Sequence, residues 1–433
     1  MKQNIVKTRQ DILDQLQEQT YGYFIEEYNP ENGLVRDKSD GSNKASIAAT
    51  GFALSSYPVV VSDGLLSREE AAARTLATLR FFAGSEQSKA RRATGYRGFY
   101  YHFLDIESGE RIEESELSTI DTALLMAGVL LTQQYFDHEN EVEAEVRELA
   151  GELYGRIDWQ WALRDGLIVH GWCPESGFFP YTWDGYDESL LVYVLALGSD
   201  TSPVSRESYE ARFKKYLWRR VYDYDYLYAG SLFIHQMPHI WIDFRDIQDA
   251  FMRRHDVSYF ENSRRATYIH QEYAIRNPME WRGYGVHSWG FTASDGPGYA
   301  IMEIDEIVRV FFDYVPRGAP FGPDDGTIAP WVVVASLPFA PEIVLPTLEV
   351  FSEMALQKAN PYGYKATINF TFPVPEEAGV WLSPYHYGIN QGPVVLMIEN
   401  YQTGLIWELM RRCPVVVRGL RRAGFTGGWL EDA

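Results

Sequence analysis

Two adjacent carboxylates, Asp187 and Glu188, stand between an aromatic loop, PYTWDGY, and an uncharged run, SLLVYVLALGS. A segment apolar nearly all round belongs in the interior. An acid at its start then sits near rings that exclude water, and desolvation keeps a carboxyl protonated, as a general acid requires. The helix macrodipole offers a second account, since it favours any acid at a helix start. Trp183, Tyr186 and Asp187 share that loop with Glu188 and are candidates to touch a substrate.

The stretch ELSTIDTALLMAG places Asp121 in the first turn of another apolar helix, with Ser118 or Thr119 as its cap. Dipole complementation explains one such acid. Two strongly apolar helices that each begin with an acid suggest helix starts gathered on one rim. EWRGYGVHSWGFTASDGPGY, 280–299, brings Trp289, Asp295 and Tyr299 among glycines that permit close backbone approach to a ligand. HQMPHIWIDFRDIQD sets His235 and His239 at the i, i+4 spacing of a metal pair, but no third ligand follows at a convincing spacing. A buried network of His239 and Asp243 with Arg245 is the better reading, and both residues stay candidates for substrate contact. In YHYGINQGPVVLMIENYQTGLIWELMRR, Gln391 precedes an apolar helix that carries Glu399 and Tyr401. A glutamate in such a segment must be paired or functional. TGYRGFYYHFLD, 94–105, has the mix of rings and polar groups that stacks on sugars.

Helical periodicity dominates the elements that must position these groups. SREEAAARTLATLRFFAG opens with the Ser67/Glu70 capping box. Comparable patterns predict helices near 9–27, 46–60, 119–138, 141–154, 188–199, 204–217, 241–255, 256–276, 302–315, 342–357 and 392–412. No βαβ rhythm and no linker separates them, so residues 1–433 are read as one all-α domain. Hairpins in a ring, with long aromatic loops such as 171–187 and 277–299 at one rim, fit that count. Loops of this length in a compact domain are usually functional.

Composition narrows the chemistry. Aromatics reach 15%, and the 29 Tyr outnumber the 23 Phe, which favours a polar aromatic cleft over a purely aromatic core. A formal charge of −21 repels phosphate backbones and anionic lipid, so nucleic acid and membrane are not expected partners. Two cysteines make no disulfide framework or multi-thiolate zinc site. No apolar run of about 18 residues occurs, and the first residues hold no signal-type h-region. As written the chain is expected in the cytoplasm, or in the periplasm if it is a mature form. Walker, dinucleotide, G-x-S-x-G and H-E-x-x-H signatures are missing from the sequence. What remains is carboxylate chemistry in an aromatic cleft, the profile of a glycoside hydrolase.

GLVRDKSDGSNKASIAATGFALSSYPV, GFYYHFLD, GYDESLLVYVLALGS, HQMPHIWIDFRDIQDA, WGFTASDGPGY, DGTIAPWVVVASLPFAPE and GINQGPVVLMIENYQTGLIWELM occur in that order. Together they resemble the bacterial glycoamylase-like family, which includes the β-1,2-glucanases of glycoside hydrolase family 144 and the domain of cyclic β-1,2-glucan synthases. The resemblance implies an (α/α)6 toroid that acts on β-1,2-glucan without metal or cofactor. It implies Glu188 as general acid and Asp121 as an acid that binds substrate or assists. Trp289, Asp295, Gln391 and Glu399 fall on its cleft-lining motifs. Ala366 and Asn390 replace acids common in the family, so the base is sought in Asp121 or Asp295. The expected activity is endo-acting, inverting hydrolysis. Transglycosylation or cyclisation in the same fold, and glucan binding without catalysis, are the alternatives.

Overall fold

The computed structural model describes residues 8–354, 356, 360–375 and 379–433. Its helices divide by burial. The apolar sequences of α2 (Ile47–Ser62), α4 (Thr119–Tyr135), α6 (Leu190–Gly198), α10 (Pro330–Ala335) and α12 (Gly388–Gln402) are buried along most of their length. Two single-turn helices, Leu232–His235 and Met237–Ile240, are largely buried as well. The more amphipathic α1 (Arg9–Glu26), α3 (Arg68–Gly84), α5 (Glu141–Gly155), α9 (Tyr259–Arg276) and α11 (Pro341–Glu353) bury one stripe and expose the other. Short α7 (Arg206–Ala211) and α8 (Ala250–His255) lie between these groups in sequence, and α13 (Leu405–Arg411) and α14 (Pro414–Ala423) follow them.

Glycine allows the interior helices to meet backbone to backbone. A Cβ on Gly51 of α2 would stand 2.5 Å from the Leu124 carbonyl oxygen of α4, and one on Gly128 would strike Gly51. Polar side chains tie the next neighbours together. Trp241 donates to Ser55 Oγ at 2.9 Å, Asn400 to the Ile240 carbonyl at 2.9 Å, and Gln236 to Val332 O and Ser336 Oγ at 2.7 Å each. Each bond satisfies a group that would otherwise be costly to bury.

The expected all-α class is corrected by short strands. The main sheet orders Gly95–Tyr96, Phe99–Tyr101, Leu117–Ser118, Gly171–Cys173 and Gly177–Phe178 side by side. Residues 302–315, expected as a helix, instead form most of an antiparallel hairpin, Ala300–Ile304 with Ile307–Phe311. Asp305 and Glu306 turn it with φ of 56° and 61°, the paired left-handed conformation of a two-residue hairpin turn. Helix also fails over 241–249, where Asp249 caps only the short α8. The stretch 392–412 breaks at Gly404, φ 77°, into α12 and α13. Residues 355 and 357 of the expected helix 342–357 lie outside the described residues. Among the described residues no helix is long and apolar enough to cross a membrane.

Candidate active site

The starts of α2 and α4 meet beside the main sheet. Ser46 caps α2 and Ser118 caps α4, each hydroxyl accepting a backbone N–H of its first turn. Lys44–Ser46 pairs with Phe103–Asp105, and Leu117–Ser118 pairs with Tyr100 and Tyr101. Those registers carry His102 to the lip, where its N–H donates to the Glu116 carbonyl at 2.9 Å. The start of α12 joins them through Gly388, whose N–H donates to the Asp37 carbonyl at 2.9 Å.

Glu188 lies in the single turn that leads into α6 and is partly buried. Its neighbour Asp187 is held by Ser189, which donates its backbone N–H at 3.1 Å and its hydroxyl, and by Arg212 at 3.4 Å. Among the described residues no side chain hydrogen-bonds the Glu188 carboxyl. Burial and then the Asp187 charge, with a lesser push from Asp121, raise it to about 8 against the pulls of its own backbone N–H and of Arg212. That is the environment of a carboxyl that holds its proton near neutrality. Arg212 is fully buried, its guanidinium 4.8 Å from the Tyr193 ring, 5.6 Å from Tyr209 and 5.8 Å from Tyr216.

Asp121 sits in the first turn of α4 with Ser118 Oγ donating to its Oδ2 at 2.5 Å. His102 Nε2 stands 3.6 Å from Asp121 Oδ1, and its Nδ1 lies 2.9 Å from Glu116 Oε1. Burial pulls the imidazole down, but Asp121 and Glu116 outweigh it and raise the ring to about 9. These three residues are the only group among the described residues whose ligand atoms could close on a metal, all within 4.8 Å of one another. With Glu116 and Asp121 each facing one ring nitrogen, the three residues form an ion triad when His102 is protonated.

Asp295 faces an open cavity of about 440 Å³ lined also by Phe233, Tyr314, Trp331, Tyr387 and Asn390. Ser383 donates to Asp295 Oδ2 at 2.6 Å, and burial nonetheless raises the carboxyl. Tyr314 links this cavity to the other acids. Its side chain is largely exposed at the cavity edge, and its phenol feels the charges of Glu188, Asp121 and Asp295. His102, Glu116 and Tyr314 gave no catalytic signal in the sequence. His102 and Glu116 do fall inside the quoted aromatic and helix-start motifs, whereas Tyr314 follows a hairpin that reads as helix.

Several candidates lie elsewhere. Trp183 and Tyr186 support the Glu188 loop from within: the Trp183 indole donates to Thr119 Oγ1 at 2.9 Å, and the Tyr186 hydroxyl lies 3.1 Å from His235 Nδ1. Trp289 is fully buried and donates to Thr347 Oγ1 at 3.1 Å, so it packs inside rather than lining the cleft. Gln391 is buried with its amide on the Tyr362 carbonyl at 2.6 Å. His239 is buried against Ser263 at 3.1 Å, and Asp243 is buried between Arg245 and Arg411. Glu399 sits about 14 Å along α12 from Asn390, bonded to Gln17 and Thr403, and Tyr401 is exposed beyond it. Tyr299 is exposed at the foot of the hairpin. Trp289, Gln391, His239, Asp243 and Glu399 are buried, and Tyr401 is exposed near the far end of α12.

The family model Glycoamylase, of glucoamylase type, matches residues 180–414, which include Glu188, Asp295 and Tyr314. The chain belongs to the Glycoamylase family. A curated Glycoamylase relative from Parabacteroides distasonis, an exo β-1,2-glucooligosaccharide sophorohydrolase acting at the non-reducing end, is 26% identical over 96% of this chain. The chain spans 58% of that relative's length. A crystal structure of a Bacteroides uniformis protein of glucoamylase type is 28% identical with a TM-score of 0.86, covering 98% of this chain and 99% of that one. The crystal structure of a Parabacteroides distasonis β-1,2-glucanase is 25% identical with a TM-score of 0.83, covering 96% of this chain and 60% of that one. The relatives named for an activity on β-1,2-glucan are thus glycoside hydrolases.

Proposed function

We propose that this chain is a glycoside hydrolase that cleaves β-1,2-linked glucan, with Glu188 as general acid. The observation that carries the reading is the placement of Glu188, partly buried at the start of an apolar helix with no side-chain hydrogen bond among the described residues, where burial and the Asp187 charge raise its carboxyl. A protonated acid can donate to the leaving oxygen while a carboxylate activates water from the opposite face of the sugar. Asp121 takes the part of base, because Ser118 fixes one of its oxygens and leaves the other toward His102. Asp295 is assigned to a sugar hydroxyl. The names of the relatives support the β-1,2 linkage.

We read residues 1–433 as one catalytic domain and its hairpins as an (α/α)6 toroid. Five apolar helices and the paired single turns at 232–240 make the inner circle in this reading. Endo-acting, inverting hydrolysis is the leading mode. Exo release of a disaccharide is the second reading, favoured by the name of the curated relative.

Linear β-1,2-glucan incubated with wild type and Glu188→Gln tests the assignment. Wild type is expected to create new reducing ends, and the variant to lose about 10²–10⁴-fold in rate. Undiminished activity in Glu188→Gln refutes the acid. Chromatography separates the modes: mixed lengths mean endo cleavage, disaccharide alone exo cleavage, and cyclic or lengthened products transfer. Anomer analysis of the first products decides inversion.

A further inference from the structure

Two acids flank His102, and a third acts on it through its charge. Glu116 comes from the residue before the Leu117–Ser118 strand, Asp121 from the first turn of α4, and Asp37 from the loop before Lys44. Lys38, Lys44 and Asp40 gather around Asp37. The Phe103 ring stacks on the imidazole at 3.9 Å and 17°, which fixes its plane. Glu116 accepts from Nδ1–H at 2.9 Å, so Nε2–H is turned toward Asp121. At 3.6 Å that contact is electrostatic, and Asp121 Oδ1 keeps a lone pair for water. Ser118 holds the other oxygen of the same carboxylate at 2.5 Å.

We infer that His102 is a positioning residue: as an imidazolium clamped by Glu116, it aims Asp121 Oδ1 into the cleft and supplies a fixed positive charge among the acids of the site. The inference rests on the proposed hydrolysis at Glu188. Four carboxylates, Asp37, Glu116, Asp121 and Glu188, crowd this lip, and like charges resist joint ionisation. The His102 cation, together with Arg212 and the lysines near Asp37, relieves that repulsion while Glu188 keeps its proton. A carboxylate–histidine pair orients a ring in the same way when the ring serves a metal; here the ring serves a second carboxylate.

Two measurements test it. The first is NMR titration of the His102 ring in the free protein, identified by the signal missing from His102→Gln. The ring is expected to stay charged to about pH 9, and to titrate lower in Glu116→Gln. A ring that titrates near the ordinary 6.5 in wild type overturns the inference.

The second measurement is the pH dependence of kcat/KM on linear β-1,2-glucan. Loss of the cation strengthens proton binding by every nearby carboxylate, so both limbs in His102→Gln should move up by about one pH unit. A roughly ten-fold loss of kcat with KM within about two-fold goes with it. A lower profile with unmoved limbs overturns the positioning role. If His102→Gln does not fold, Glu116→Gln carries the same comparison with a smaller shift. Absence of glucan turnover by wild type would defeat the proposed function, whereas the ring titration would still decide the clamp.

Discussion

Arg317 grips Asp325 through two parallel hydrogen bonds of 2.7 Å, both residues wholly buried. The same guanidinium donates to the carbonyls of Ser294 at 2.6 Å and Asp313 at 3.1 Å, the residues immediately before Asp295 and Tyr314. One side chain therefore fixes two backbones of the cleft. Truncating one partner of a buried pair strands the other charge, at a cost of about 3–5 kcal/mol. Arg317→Met is expected to lower the unfolding free energy by that amount in denaturant melts. The double variant Arg317→Met with Asp325→Leu should recover much of the stability but little of the activity.

Glu188 links activity to stability with opposite signs. Its folded carboxyl titrates at about 8, above the ordinary 4.5, so its contribution to stability is full below the unfolded value and is lost as pH rises toward 8. Glu188→Gln should therefore be more stable than wild type at pH 8.5, by roughly 1 kcal/mol or more, and nearly equal to it at pH 4. Thermal melts at the two pH values check this. Wild-type kcat/KM should fall as pH rises through about 8.

Three buried histidines work in the acid direction. Burial lowers His235 to about 4, and His239 and His270 to about 3, from an ordinary 6.5. Unfolded chains take up these protons below pH 6.5 and the native protein does not, so stability falls as pH drops from 6.5 toward 4. Each group adds a slope of about 1.4 kcal/mol per pH unit. Urea melts between pH 6.5 and 4.5 should show a shallower slope in His270→Gln than in wild type, by one proton's worth.

Asp243 separates structure from chemistry. Its carboxylate is buried under Arg245 and Arg411, and its carbonyl accepts from the Trp429 indole at 2.8 Å. Asp243→Asn should cost about 1–3 kcal/mol in a chemical melt while KM for glucan stays unchanged. A raised KM with intact stability would return the residue to the cleft.

Glu188 and Asp121 were legible because each is an acid that opens an apolar helix, a pattern local enough for sequence to carry. His102 was not, since its partners Glu116 and Asp121 meet it only through strand pairing across residues 99–118. The surroundings of Trp289 were not legible: Gly290, φ 112°, reads as room for a ligand, yet Val333 and Ala329 of the protein itself fill that space. Of the expected network only the Asp243–Arg245 pair forms; His239 bonds Ser263 instead, a partner from α9 that local spacing does not point to. The hairpin strands Ala300–Ile304 and Ile307–Phe311 are nearly all apolar with one charged residue each, and the Asp305–Glu306 turn lacks the usual Asn or Gly, so neither period nor turn chemistry marked a hairpin.

Arg212 keeps its charge among three tyrosine rings, with Nε and Nη1 lacking partners among the described residues. Dissolved ions cannot approach a cation sealed in this way, and mobile salt weakens only fields that pass through water. The electrical setting of Asp187 and Glu188 on that side is thus built in rather than borrowed from the medium. A protein of net charge −21 would otherwise feel every change of ionic strength across its surface. Proton affinity at Glu188 should stay nearly constant from dilute buffer to brine.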